Sequence, residues 1–269
     1  MFCNLKLPLF VFSVAVRQVI FISAIISLLA SCRKDPAGLA YNACNFAIDT
    51  ASSSYFDKEA HDFAYQEISN DANHSGYNEV ELDPATVYYY MGRLSAIYRE
   101  AEQSKGSLHD MIFKYSINNL GNGAPGLNSY IVVFKDSSLL RNEVISNPGN
   151  TSNPFLNELY NEHGFRWYIS PLGPGWSEII YSEKTYLNGK VVKENLESSG
   201  EFEFVWIDYY GFDGQSISHQ KLESTDEFVF MYGWGDCPSG CFGHHYWKIH
   251  VNDKCEVELV QEYGDDLPG

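Results

Sequence analysis

Cys237, Cys241, His244 and His245 lie close together in the stretch Gly233–Val251, GWGDCPSGCFGHHYWKIHV. Thiolate and imidazole are the usual ligands of zinc, and the C-x-x-x-C spacing falls within its wider range. Two features oppose a metal reading. Adjacent histidines on a strand point to opposite faces, and no second cysteine pair follows at finger spacing. His245 therefore reads as a hydrogen-bonded core histidine beside Trp247, and Asp236 as a loop cap. No metal or cofactor is expected. The acids Asp208, Asp213, Glu223 and Asp226 could form a carboxylate site for a hydrolase or a Ca²⁺ ion. They surround turns, where acids are ordinary, and nothing fixes a separation suited to acid–base work. Gly175-Trp176-Ser177-Glu178 lacks the second glycine of a nucleophile elbow. The Gly-rich stretch 121–126 lacks the strand and helix that a phosphate site requires, and neither nucleotide-binding glycine motif is present. No catalytic residue emerges.

The element that must carry the Cys/His stretch is a β-hairpin. Phe228, Phe230, Tyr232 and Trp234 fall on one face of an extended segment, with Val229 and Met231 on the other. After the tip, His245, Trp247, Ile249 and Val251 share a face opposite His244, Tyr246, Lys248 and His250, which alternates as a strand with one dry and one wet side. Gly235, Asp236, Pro238, Ser239, Gly240 and Gly243 supply the loop between.

Charge and the N-terminus narrow the setting. The formal net charge is −17. Removing residues 1–31 takes away Lys6 and Arg17 and no acid, leaving 16 basic residues against 35 acidic ones, or −19. So acidic a surface argues against nucleic acid as a partner. Val19–Ala30 is a short apolar run behind Arg17, shorter than the ~20 residues a spanning helix needs, and reads as a secretory signal. Leu29-Ala30-Ser31-Cys32 resembles the bacterial lipobox. By that resemblance residues 1–31 are a lipoprotein signal peptide and Cys32 is acylated, with 32–45 as a tether from the membrane.

Export also sets the chemistry of the remaining cysteines, which pair in an oxidising envelope. With Cys3 and Cys32 set aside, Cys44, Cys237, Cys241 and Cys255 allow three pairings. In the hairpin, Cys255 lies beyond the strand end remote from the tip. About eight residues at ~3.3 Å each put it roughly 26 Å from Cys241, beyond the ~7 Å limit for bridged Cα atoms. The expected bridges are Cys237–Cys241 and Cys44–Cys255.

The rest of the chain supplies an α+β fold. Ser54–Ser69 reads as a helix with a Ser54/Asp57 capping box and an apolar stripe through Phe56, Ala60, Phe63, Ala64 and Ile68. Asp83-Pro84 starts the strongest helix, with Val87, Met91, Leu94, Tyr98 and Ala101 on one face and an end near Gly106. Ser107–Ile117 is ambiguous between helix and strand, and 118–129 reads as loop. Tyr130–Phe134 and Phe165–Ile169 read as strands, with helices over Leu139–Ile145 and from Asn153-Pro154 to His163 between them. Beyond the Pro/Gly-rich stretch 171–175 the pattern turns to strands. Ser177–Leu187 and Lys190–Glu197 flank Asn188-Gly189, a strong hairpin signal. Glu201–Tyr210 alternates with Phe202, Phe204 and Trp206 on one side, followed by Gln215–Leu222, the organising hairpin and Glu256–Val260. The expected division is an α+β region over 46–172, its helices packed on a sheet, and an antiparallel β-meander over 173–269 carrying the disulfide-tipped hairpin.

The tip Asp-Cys-Pro-Ser-Gly-Cys before an aromatic strand, behind a lipobox followed by Ser-Cys-Arg-Lys-Asp, resembles lipid-anchored envelope proteins of the Bacteroidota type. The resemblance covers the signal and about thirty C-terminal residues. It implies a place in the bacterial cell envelope and a disulfide-tipped β-domain, and it transfers no catalytic residue. The expected function is a non-catalytic module binding an envelope protein or glycan, attached to the membrane through its N-terminal lipid. A secreted hydrolase with a metal or carboxylate site is the alternative.

Overall fold

The computed structural model describes residues 44, 50–117, 124–136, 138–169, 178–182, 186–210 and 214–268. The signal segment, Cys32, the tether apart from Cys44, the loop 118–123, the stretch 170–177 and Asp213 lie outside the described residues. Among the described residues, no helix is long and apolar enough to cross a membrane.

The first helix, α1 (Thr50–Asn70), begins earlier than its polar residues suggest. Ser54 is not an N-cap: its hydroxyl donates to the Ala51 carbonyl inside the helix. The backbone leaves helical geometry at Phe56, where the helix kinks. The apolar stripe is real, for Phe56, Ala60, Phe63, Ala64 and Ile68 are all buried. Helix α2 (Pro84–Gln103) starts as its sequence dictates. The Asp83 carboxylate accepts from the Ala85 N–H and the Thr86 hydroxyl, and Pro84 occupies the first turn, where no N–H is needed. Residues Ser107–His109 form one helical turn, α3, continuing as a π-turn over Asp110–Lys114.

Two antiparallel sheets follow. The first joins β1 (Ala124–Phe134), β2 (Phe165–Ile169), β3 (Glu178–Ser182) and β4 (Phe202–Tyr210) in the order β2-β3-β1-β4, drawing strands from both sides of residue 172. Helices α4 (Leu140–Ser146), α5 (Pro154–Asn161) and α6 (Gly189–Ser198) pack on one face of it. Leu140, Leu156, Leu159 and Leu196 meet Tyr130, Val132, Val205 and Ile207 there. The second sheet is the meander β5 (Gln215–Lys221), β6 (Thr225–Trp234), β7 (Gly243–Asn252) and β8 (Val257–Gly264). Its inner residues Phe228, Phe230, Trp247, Ile249 and Val251 are buried under α1 and α2. The N-terminal helices thus cover the C-terminal sheet, in an α+β fold.

Two sequence expectations fail for identifiable reasons. Asn188-Gly189 is no hairpin, and Lys190–Glu197 is helical. A type I′ turn needs positive φ at both central residues, whereas Asn188 has φ −70°. The Asn188 amide instead donates to the carbonyls of Gly76 and Tyr77, its backbone N–H to Val80, and its neighbour Leu187 bridges Glu81. The i,i+4 pairs Lys190–Glu194 and Lys193–Glu197 are the overlooked helical signal. On β4, Phe202 does not share a face with Phe204 and Trp206. Val133 pairs with Phe204 but Phe134 pairs with Phe202, so Glu203 is the extra residue of a bulge. That bulge turns Phe202 into the core while Phe204 and Trp206 stay outside. The 118–129 loop expectation also gives way, because the strand already begins at Ala124.

Candidate functional site

The tip of the β6–β7 hairpin is built by its register. Trp234 pairs with Gly243, and a Cβ on Gly243 would collide with the Trp234 indole, so only glycine fits there. Gly235 has φ +102°, in the left-handed region that favours glycine, and faces the Phe242 ring. Between them, Cys237–Ser239 forms a 3₁₀ turn, and Cys237 is disulfide-bonded to Cys241 with a Cα–Cα distance of 4.0 Å. Asp236 precedes that turn without capping it through its side chain, contrary to expectation.

His245 is nearly closed to solvent and packs on Trp247 with ring centroids 4.5 Å apart. Its Nδ1 lies 2.7 Å from the Asp265 carbonyl and its Nε2 2.9 Å from the Glu262 carboxylate, so both ring nitrogens face acceptors inside the protein. The Trp247 indole N–H donates to the Ser107 hydroxyl, which in turn donates to Glu262. These nitrogens and thiols are committed within the protein, and the described residues hold no group of three or more His, Cys, Asp or Glu side chains arranged for a metal ion.

The second bridge joins Cys44 to Cys255, Cα–Cα 5.2 Å. Cys255 sits in the β7–β8 turn with φ +62°, and Cys44 rests on α2 where Gly92 leaves room. A Cβ at Gly92 would stand 3.1 Å from the Cys44 Cβ. Next to it lies an ionic joint that the sequence did not reveal. Arg93 of α2 donates through Nε to Asp226 of β6, and both side chains are almost wholly buried. Asp226 also accepts from the Tyr89 hydroxyl at 2.8 Å and from His219 Nε2 at 2.7 Å. Burial alone would raise the Asp226 carboxyl, but the hydrogen bonds from His219 and Arg93, the Arg93 charge and the Tyr89 bond outweigh it and hold the group below the usual carboxylate range. Enclosed and saturated, this cluster ties α2 to the second sheet.

The other acids considered for catalysis do not converge. Asp226 is on the second sheet, Glu223 is exposed on the turn before it, and Asp208 belongs to β4 of the first sheet.

The first sheet presents a different surface. Its face away from α4, α5 and α6 carries Tyr168, Ile131 and Trp206 in one cross-strand row, with the Val133–Phe204 pair beside it. Tyr168 is 55% exposed, and Phe204 and Trp206 are 49% exposed each. The last two rings run nearly parallel, 10° apart, with centroids separated by 5.1 Å. The second sheet's outer face mixes charge with aromatics: Glu227 accepts from Lys248 at 3.1 Å and from His250 at 3.0 Å, and Tyr246 stacks on Tyr263 with centroids 4.9 Å apart. Three half-exposed aromatic rings leave roughly 300 Å² of apolar surface in water. Sequence alternation placed Phe204 and Trp206 together but could not say that both remain half exposed. Compared with known proteins, the chain matches no family model, no curated protein and no solved structure.

Proposed function

We propose that this chain is a non-catalytic binding module of the bacterial cell envelope, attached through a lipid on Cys32, that engages a partner protein through the open face of its first sheet. The observation that carries the reading is the aromatic row on that face, Tyr168, Phe204 and Trp206, on a sheet whose other face packs against α4, α5 and α6. Aliphatic Ile131 and Val133 between the rings suit the mixed apolar surface of a protein better than the hydroxyl-rich surface of a glycan. Covering ~300 Å² contributes about 7 kcal/mol gross, from which the cost of association is subtracted. Tryptophan and tyrosine are the side chains most often dominant at such contacts. The anchor follows from the lipobox, and Cys32→Ser is expected to release the protein from membranes or block its maturation. Unchanged size and fractionation would refute it.

A photo-crosslinking amino acid at position 204, compared with one at position 246 on the second sheet, tests the surface in intact envelopes. The expected result is a discrete protein adduct from 204 alone, abolished by Trp206→Asp. Equal labelling from both positions, or none, overturns the assignment. Binding to an envelope glycan that is lost with Trp206→Ala, without any protein adduct, would replace the protein partner by a saccharide.

A further inference from the structure

A second concavity lies apart from the aromatic face, on the lobe where α1 and α2 meet. Its volume is about 530 Å³, within the range that holds small organic molecules. The floor is apolar: Leu82, Val87 and Met91 are buried beneath it. One wall is an aromatic stack, His61 on Tyr186, with centroids 4.3 Å apart and planes 27° from parallel. Tyr88 stands at the rim, 53% exposed.

Among the described residues the lining charge is acidic: Asp57 and Glu81 contribute carboxylates, and neither lysine nor arginine lines the pocket. The nearest base along α1, Lys58, is committed to Asp62 at 2.6 Å. His163 lies 3.8 Å from Glu81 and 3.7 Å from Glu158, shared between the two. His61 Nδ1 is 2.6 Å from the Asp57 carbonyl, which accepts its proton, and 3.6 Å from the Asp57 carboxylate, so the ring is held against Asp57. Burial and the carboxylates of Asp57, Asp62 and Glu59 push the Tyr186 phenol up to about 12, in keeping with a negative local field. An apolar floor, phenol rings and two acids, with no lysine or arginine among the described lining residues, match a ligand that is cationic at one end and apolar at the other. Aromatic faces and carboxylates are what recognise ammonium groups.

We propose that this pocket binds a small amphiphilic amine, its ammonium group held by Asp57 and Glu81 beside the Tyr88 and Tyr186 rings and its apolar body on Leu82, Val87 and Met91. The site is independent of the partner-binding face, so either can fail without the other. The test is calorimetric titration of the full chain in neutral-detergent micelles with three probes of one shape: 2-phenylethylamine, 2-phenylethanol and phenylacetate. The amine is expected to bind at least ten-fold more tightly than the alcohol, and phenylacetate not at all. The Asp57→Asn/Glu81→Gln pair should weaken the amine about ten-fold and leave the alcohol unchanged. Both side chains are substantially exposed, at 49% and 74%, and the replacements are isosteric, so the fold is expected to persist and a melting curve checks it. A ¹³C label on the methionine methyls locates the event, since Met91 lies in the floor and should shift alone. Equal affinity for amine and alcohol, amine binding indifferent to the double variant, no shift at Met91, or no binding in the millimolar range each overturns the proposal.

Discussion

The two disulfides make a quantitative pair because they close loops of very different length. Cys44 and Cys255 are 211 residues apart and Cys237 and Cys241 are 4 apart. In the chain-entropy account, constraint of the unfolded chain grows as 1.5R ln n plus a constant, which gives ~5.4 kcal/mol for the long loop and ~1.9 kcal/mol for the short one. The difference of ~3.5 kcal/mol corresponds to roughly 7–14 °C in melting temperature for a chain of this size. Folded-state contacts add to the asymmetry. The long bridge pins Cys44 against α2 beside the buried Arg93, whereas the short bridge shapes a loop whose Cys237 and Cys241 are only half-buried. Thermal melts of Cys44→Ser/Cys255→Ser and of Cys237→Ser/Cys241→Ser, which leave no unpaired thiol, compare them directly. A further variant separates entropy from backbone strain. Cys255 holds φ +62°, which costs an L-residue about 1–2 kcal/mol, so glycine at 255 in the Cys44→Ser background should recover about 1 kcal/mol over serine. A tip variant that melts as low as the Cys44/Cys255 variant would refute the reasoning, as would peptide mapping that links Cys255 to either tip cysteine.

Three further outcomes are expected. Leu94→Ala should cost ~2–5 kcal/mol in urea titration, because Leu94 is fully enclosed between α1, α2 and the second sheet; a near-neutral result would misplace the core. Asp226→Asn should cost about 3–5 kcal/mol at neutral pH, since it leaves the Arg93 charge buried with its main partner gone. The Asp226 carboxyl is held low in the folded state, so its contribution is present above the unfolded carboxylate pKa of ~3.9 and is lost as the pH falls through the lower folded value. Wild type should therefore lose more stability than Asp226→Asn on acidification through that window, and parallel acid limbs would argue against this assignment.

How much of this was legible in the sequence depended on how local the cause was. The β6–β7 hairpin was legible because alternation is a local property, and each of His245, Trp247, Ile249 and Val251 is indeed turned to the core. The start of α2 was legible because Asp83 and Pro84 act within one turn. Asn188-Gly189 misled because its hydrogen bonds run to residues more than a hundred positions away, and a distant partner overrides a turn propensity. The Glu203 bulge was invisible because a bulge is a property of two strands, not of one. The Arg93–Asp226 joint and the His61–Tyr186 stack fall in the same class: residues unremarkable along the chain become neighbours once α2 packs on the C-terminal sheet and α1 meets the segment before α6. No spacing rule reaches across separations of that size.

The exposed aromatic row and the acidic composition also bear on each other. An uncovered apolar strip on an antiparallel sheet invites a second copy of the same chain as readily as a foreign partner. Two copies approaching through their first sheets each carry a formal charge of −17 over the full sequence, or −19 without residues 1–31, and like charge at that density opposes close approach. A basic or neutral partner meets no such barrier and is drawn in by it. On the proposed reading, the same field that disfavours nucleic acid favours a partner with the opposite charge around an apolar centre. On the proposed amine reading it reaches the pocket between α1 and α2 as well, where Asp57 and Glu81 face no lysine or arginine among the described lining residues. The two proposals share one physical rule, apolar contact for affinity and negative potential for selection, although their partners differ in kind.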